Sequence, residues 1–236
     1  MIIDVSNHNG KIDWKKVGKI VDYAILHCGY GSNDKRNDDK CFNYNATQCE
    51  KYGIPYGVYI YSYARNYRNA ISEANHIIRM VRDRKVVYPL YIDIEDEDIV
   101  NKYDIKGFAE TFVSLVKSHG YKTGVYSYND TFTRHLYDVK CDSKWIARVN
   151  NSLIKPTINC DIWQYSHNGK VEGINGDVDL NMHLNKNLFS NSFYSGIADS
   201  VIKGDYGVGD IRKHQLFEQG INYWKVQNMV NIILNK

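Results

Sequence analysis

Asp93 and Glu95 close the segment Leu90-Tyr91-Ile92-Asp93-Ile94-Glu95, in which Leu90, Ile92 and Ile94 alternate with Tyr91, Asp93 and Glu95. A period of two marks a strand and sets both carboxyls on one face. The same alternation places Asp4 and Ser6 opposite Ile3 and Val5 near the start, and Asp177, Asp179 and Asn181 opposite Val178 and Leu180 further on. Carboxylates crowded on one inward face repel one another, which raises the pKa of at least one. A carboxyl that keeps its proton beside neighbours that stay ionised is what general acid catalysis of glycosidic cleavage requires. Two other uses stand beside it: oxygen ligands for Mg²⁺ or Mn²⁺ in phosphoryl transfer, and the polar face of an ordinary half-exposed strand.

Aromatic residues gather on the same segments: Tyr59, Tyr61 and Tyr63 alternate, Tyr126 and Tyr128 follow, and Trp163 and Tyr165 flank Gln164. Sugar rings stack on aromatic planes, and hydroxyl or amide groups orient them. Tyr61, Tyr126 and Trp163 are therefore the expected cleft walls, with Gln164 and Asp177 as polar substrate contacts. Other chemistries lack their residues. The sequence has no P-loop, no dinucleotide fingerprint, no H-E-x-x-H and no G-x-S-x-G elbow, and the Asp96-Glu97-Asp98 run lacks the glycine of a calcium loop. Neither a metal nor a cofactor is expected. Cys28, Cys41, Cys49, Cys141 and Cys160 are scattered without a C-x-x-C pair, so they form neither a disulfide framework nor a zinc site.

The elements that must position these residues follow from the wider pattern. The chain has 236 residues, of which 43% are hydrophobic and 24% charged, values ordinary for a globular protein. Strand patterns fall at 1–6, 23–27, 56–61, 89–95, 122–126, 144–148, 161–165 and 177–180. Helical periodicity separates the early ones: Ile71, Ala74, Ile77, Ile78 and Val81 form one apolar face, and Phe108, Phe112, Leu115 and Val116 another, capped by Asp104 and stopped by Gly120. After about Tyr126 the helix signals weaken. Strand–helix alternation predicts a parallel sheet, and eight strands in under 190 residues predict an irregular TIM-like β/α barrel with its last helices reduced. A doubly wound open sheet is the alternative. In a closed barrel the last strand returns beside the first, so Asp4 and Asp179 would face Asp93 and Glu95 across one mouth.

These motifs resemble glycoside hydrolase family 25, the N-acetylmuramidase lysozymes. The likeness spans about residues 1–184 and rests on Asp4-Val5-Ser6-Asn7-His8-Asn9-Gly10 with Ile12-Asp13-Trp14, Asp93-Ile94-Glu95, Trp163-Gln164-Tyr165, and Gly176 through Asn181. It implies hydrolysis of the β-1,4 bond between N-acetylmuramic acid and N-acetylglucosamine in peptidoglycan. Glu95 would be the general acid. Asp93 would orient and polarise the reacting group, the substrate's own 2-acetamido oxygen in a substrate-assisted, retaining route being one option, with retaining and inverting outcomes both open, and Asp4 and Asp179 would tune the pKa values. A catalytically silent wall-binding barrel and a metal-dependent phosphoryl-transfer enzyme are the competing classes.

The remaining chain has another rhythm. After a connection at 187–194, Ile197, Ala198, Val201 and Ile202 repeat at helical spacing, Asp210 is placed to cap a second helix ending at Gly220, and Val226, Met229, Val230 and Ile233 mark a third. Residues 195–236 thus read as a small three-helix module beside a catalytic unit at 1–186. The module is similar to a helical wall-binding repeat of phage lysins, which implies Tyr206, Gly209, Asp210 and Arg212 as wall-binding residues. With a single copy present, a homodimer through this module is one route to avidity. A formal charge of +3 gives no basic tract for nucleic acid. No apolar run reaches the roughly 18 residues of a membrane span, and Met1-Ile2-Ile3-Asp4 lacks a basic leader. Synthesis in the bacterial host cytoplasm without a signal peptide, with action on the wall after membrane breach as in an endolysin, is the expected setting.

Overall fold

The computed structural model describes residues 1–184 and 189–235. Eight strands close into a barrel in chain order: β1 (Ile2–Val5), β2 (Tyr23–Tyr30), β3 (Tyr56–Tyr61), β4 (Leu90–Asp93), β5 (Thr123–Tyr128), β6 (Ser143–Ala147), β7 (Ile162–Gly169) and β8 (Val178–His183). The open-sheet alternative is thereby excluded. The expectation of a wholly parallel sheet is corrected at one strand. From β1 to β7 the pairing is parallel, but β8 runs antiparallel to both β7 and β1. Only residues 170–177 separate β7 from β8, fewer than the dozen or so a parallel crossover needs, so the chain turns back as a hairpin. The reversal matters for the site. β8 enters the barrel at the mouth where β1 leaves it, so Asp179 pairs in register with Asp4.

Both faces of the strands are covered, as a barrel wrapped by helices requires. Inside lie Ile2, Tyr23, Ile25, Tyr91, Tyr126, Trp145, Ala147 and Ile162. A Cβ at Gly124 would fall 2.2 Å from the Tyr91 ring; glycine there lets that ring reach Ser143, whose Oγ lies 3.1 Å from the Tyr91 hydroxyl. Outside, the helices α1 (Trp14–Val17), α2 (Phe42–Tyr52), α3 (Tyr67–Val81), α4 (Glu97–Val100) and α5 (Ile105–Ser118) cover the first half of the barrel. Asp104 caps α5 by accepting from Gly107 N at 3.0 Å, and Gly120 follows its end at φ +85°. On α3 the residues Ala74, Ile77, Ile78 and Val81 turn inward, whereas Ile71, expected in the same stripe, is 45% exposed. After β5 the chain makes only the short α6 (Asn129–Thr131) and a π-helical turn, Phe132–Leu136, and no described helix joins β6 to β7.

The tail forms α7 (Asn191–Lys203), α8 (Gly209–Glu218) and α9 (Tyr223–Leu234). α7 begins inside the segment 187–194 read as a connection, because Ser190 caps it by accepting from Phe193 N at 3.1 Å; Asn187 and Leu188 lie outside the described residues. Asp210 sits within the first turn of α8 rather than at its cap, which is Val208. The three helices pack on one another through Tyr194, Ala198, Val201, Leu216, Val226 and Val230. They are also seated on the barrel. The buried Asn222 donates to Gly18 O at 2.9 Å and Val21 O at 2.8 Å, Tyr194 donates to Asp22 at 2.8 Å, and Tyr88 donates to Gly220 O at 2.9 Å. Phe217 joins the barrel's outer core. Gly18, Val21, Asp22 and Tyr88 all precede the strands they lead into, so the module covers the end of the barrel opposite the mouth. Among the described residues no helix is long and apolar enough to cross a membrane.

Candidate active site

All eight strands and the segments that extend them deliver polar and aromatic side chains to one cleft of about 480 Å³. β1 supplies Asp4, β2 His27 and Tyr30, β3 Tyr59 and Tyr61, β4 Asp93, β5 Tyr126, β6 Trp145, β7 Gln164 and β8 Asp179, while Glu95 stands just past the end of β4. Tyr61, Asp93, Tyr126 and Trp145 are successive register partners, so they form one layer across the barrel. Of the residues read from the sequence, the structure brings together Asp4, Asp93, Glu95, Asp179, Tyr61, Tyr126 and Gln164. His8, on the short turn Asn7–Asn9, lines the rim.

Two expected contacts lie elsewhere. Trp163 faces out of the barrel: its Nε1 donates to Arg148 O at 3.0 Å and its ring packs edge-on against Tyr165. It neighbours Gln164, and adjacent strand residues cannot share a face. Trp145 takes the aromatic place instead. Asp177 precedes β8 on the outer rim, ion-paired to Lys170 at 2.6 Å, and only its backbone oxygen, accepting from Asn9, ties it to the mouth. Sequence reasoning passed over Trp145, His27 and His167. The alternation Ser143, Trp145, Ala147 was the available signal for the first. The other two answer to Asp39 and Asp179 through contacts that sequence spacing does not encode.

A continuous chain of hydrogen bonds fixes the floor. Trp145 Nε1 donates to Asn181 Oδ1 at 2.7 Å, Asn181 Nδ2 donates to Asp4 Oδ2 at 2.7 Å, Gln164 Nε2 donates to the same oxygen at 3.1 Å, and Tyr126 donates to Gln164 Oε1 at 2.7 Å. Gln164 Nε2 also reaches Asp179 at 3.5 Å. Both amides are oriented by these partners, so Asp4 is held by neutral donors. Burial first, and then the charge of Asp179, push the Asp4 carboxyl up to about 8, with Asn181 and Gln164 pulling the other way. Asp93 is pushed well above the usual carboxylate range by burial, then by Glu95 and Asp4, and its Oδ1 is buried without a hydrogen-bond partner among the described residues. Glu95 is raised chiefly by burial, while the hydroxyls of Tyr126 and Tyr128 and the nearby His167 draw it back. His167, 3.2 Å from Asp179, is itself raised by that contact.

This arrangement offers a carboxyl raised by burial at a partly open position, a deeper carboxyl with an unclaimed oxygen, and aromatic walls. Among the described residues no group of three or more His, Cys, Asp or Glu is disposed to hold a metal ion, and Asp4, whose Oδ2 accepts from two amides, is engaged by the protein itself.

In the tail, Tyr206 lines a separate open cleft with Asp205, His214 and Glu218. The other three residues expected there serve differently. Arg212 donates to Gly207 O and Gln227, so it fastens the α7–α8 loop to α9; Asp210 pairs with Lys213 on the surface; Gly209 opens α8 at φ +58°.

A barrel with a carboxyl pair at the end of its fourth strand and a sugar-sized aromatic cleft is the frame of a glycosidase. Residues 3–174 match the profile of glycosyl hydrolases family 25, and the chain belongs to that family. Residues 195–234 match the CW_7 repeat. Among solved structures, the catalytic domain of the endolysin ply40 from bacteriophage P40 of Listeria monocytogenes is 24% identical with a TM-score of 0.71, covering 78% of this chain and 92% of that one. The modular autolysin LytC from Streptococcus pneumoniae is 32% identical with a TM-score of 0.65, over 76% of this chain and 45% of that one. The uncharacterized protein YegX of Escherichia coli K12 is 24% identical over 207 residues, 84% of this chain and 74% of its own length.

Proposed function

We propose that this protein is a peptidoglycan hydrolase, an N-acetylmuramidase that cleaves the β-1,4 bond between N-acetylmuramic acid and N-acetylglucosamine. The observation that carries the reading is the pairing of Glu95, raised by burial yet open to the cleft, with the deeper Asp93, whose Oδ1 has no protein partner. Family membership and the likeness to an endolysin and an autolysin support the substrate. Glu95 protonates the leaving oxygen as the glycosidic bond lengthens. Asp93 receives the 2-acetamido N–H and so presents the amide oxygen to the anomeric carbon, which gains positive character. Asp4 and Asp179 set the electrostatic level of the floor, and Tyr61, Tyr126 and Trp145 form the walls against which the sugar faces lie. The tail serves as a wall-recognition module held at the far end of the barrel. Cytoplasmic synthesis followed by action on the wall after the membrane is breached is the setting we assign to it.

The test is cleavage of purified peptidoglycan by wild type and Glu95→Gln with EDTA present, with mass spectrometry of the fragments. New reducing N-acetylmuramic acid ends from the wild type, lost in the variant, are expected. Binding without cleavage would make the chain a wall-recognition protein, and reducing N-acetylglucosamine ends would overturn the bond assignment.

A further inference from the structure

Glu95 belongs to two clefts. Beyond it, away from the barrel axis, a second cleft of about 340 Å³ runs between α4 and the β5–β6 connection, lined by Glu97, Asn101, Asp130, Arg134 and His135 as well as Glu95. Its walls differ in kind from those of the first. The main cleft is walled by tyrosines and a tryptophan, which suit the C–H faces of sugars, whereas this one carries charged side chains of both signs and a single tyrosine, Tyr128.

The wall that carries Arg134 and His135 is built firmly. Phe132 and Leu136 are fully buried, so the residues between them, Arg134 and His135, are turned to solvent. Asn129 ties the connection down by accepting from Thr157 N at 2.9 Å and its hydroxyl at 3.1 Å, and Thr133 donates back to Asn129 O at 2.7 Å. Opposite, Asp96 caps α4 by accepting from Asp98 N and Ile99 N, which fixes Glu97 and Asn101. Arg134 has neither an ion pair nor a side-chain hydrogen bond among the described residues, whereas Arg36, Arg79 and Arg84 are ion-paired, so its guanidinium is free to meet a ligand at the edge of the main cleft. A neutral sugar has no use for such a set of charges. A short peptide with free carboxylates and an amine does.

We infer that this second cleft receives the stem peptide of the peptidoglycan strand, with Arg134 binding a peptide carboxylate and Glu97 and Asp130 facing its amine. The inference rests on the muramidase reading. If the bond cleaved is that of the muramic acid, this ring sits at Glu95, and the lactyl branch that carries its peptide must leave the main cleft within about one ring of that residue. The second cleft starts there. A lactyl carboxylate without a peptide offers the same anionic chemistry, and the experiment separates the two.

Glycan strands bearing stem peptides are compared with the same strands after an amidase has removed the peptides, which leaves the lactyl carboxylate in place. kcat and KM are measured for wild type, Arg134→Ala, Arg134→Lys and, as an exposed control at the C-terminal cap of α3, Arg82→Ala. Wild type should prefer the peptide-bearing strand. Arg134→Ala should lower the ratio of kcat/KM between the two strands about tenfold (about 1.4 kcal/mol) through KM. Arg134→Lys should recover part of it, and Arg82→Ala should match wild type. Equal losses on both strands would assign Arg134 to the lactyl group or to a further sugar, and kcat/KM unchanged on both strands would leave the cleft without a role in binding; either overturns the inference. A wild type that cleaves neither strand would instead overturn the muramidase reading, and calorimetry with a soluble muramyl peptide would then decide the cleft, since loss of binding in Arg134→Ala alone would uphold it and unaltered binding would end it.

Discussion

Asp4 and Asp179 face each other in register across the seam where the antiparallel β8 closes on β1, and a single amide nitrogen, Nε2 of Gln164, spans them at 3.1 and 3.5 Å. The pair therefore shares a donor but repels in charge. Burial and that repulsion hold the Asp4 carboxyl protonated up to about pH 8, against 3.8 for the free side chain. Between those values the native protein keeps a proton that the unfolded chain has lost. Its contribution to stability is complete below about pH 4 and declines as the pH rises through 8. Asp4→Asn removes the titration while its amide oxygen still accepts from Asn181 and Gln164, which meet at one oxygen. The variant should melt higher than wild type at pH 8, with the gap narrowing towards pH 5, as followed by circular dichroism. An equal gap at both values would show that Asp4 does not carry the dependence.

Trp145 and Trp163 lead to opposite predictions. Trp145 lines the main cleft, and its indole is the donor to Asn181 Oδ1 deep in the barrel, so Trp145→Phe leaves a buried acceptor unmet. A loss of about 1–3 kcal/mol in urea unfolding is expected, together with weaker substrate binding. Trp163→Phe also forfeits a hydrogen bond, to Arg148 O near the surface, but leaves KM as it is. Steady-state kinetics on soluble glycan fragments would reverse the assignment if KM rose only for Trp163→Phe.

How far the sequence carried the reading can be judged from these same residues. The inward carboxyls Asp4, Asp93 and Asp179 were legible because a period of two in a strand fixes a face irrespective of what surrounds it. The seam was not, since strand direction depends on the length of a connection, and the short stretch before Asp177 was outweighed by the strand–helix rhythm of the first half. Gln164 and Trp163 show the limit of composition as a guide: both are plausible sugar contacts, yet neighbours on one strand must part. The second cleft had no sequence signature, because Glu97 and Arg134 meet only through the fold.

Glu73 carries a further pH dependence, outside the main cleft but tied to its wall. This carboxyl is buried on α3, where Oε1 accepts from Tyr63 N at 2.8 Å and Oε2 from Ser62 Oγ at 2.7 Å, so it clamps the segment that carries Tyr61 and Tyr63 to the rim. Burial lifts it to about 7 from 4.5, against the pull of both donors. Stability from this group is complete below about pH 4.5 and falls towards pH 7. Glu73→Gln should flatten that part of the pH profile. The amide oxygen still accepts from Tyr63 N and the amide nitrogen donates to Ser62 Oγ, so the clamp on the wall holds and kcat and KM should stay near the wild-type values. A fall in kcat at constant KM would argue that Glu73 reaches the chemistry rather than the wall.

The seating of the tail predicts how the chain unfolds. Asn222 is fully buried and donates both amide hydrogens to the barrel, to Gly18 O and Val21 O, while Phe217 inserts among barrel residues and Asp22 accepts from Tyr194. A module tethered only by its linker would melt by itself, and at this size would be barely stable. One that shares a core and buried hydrogen bonds with its neighbour melts with it. Calorimetry should therefore record a single transition. Asn222→Ala strands two carbonyl oxygens and should cost about 2–4 kcal/mol, lowering that transition as a whole without splitting it. Two separate transitions in the wild type, or a variant in which only a small early transition moves, would mean that the barrel and the module fold as independent units.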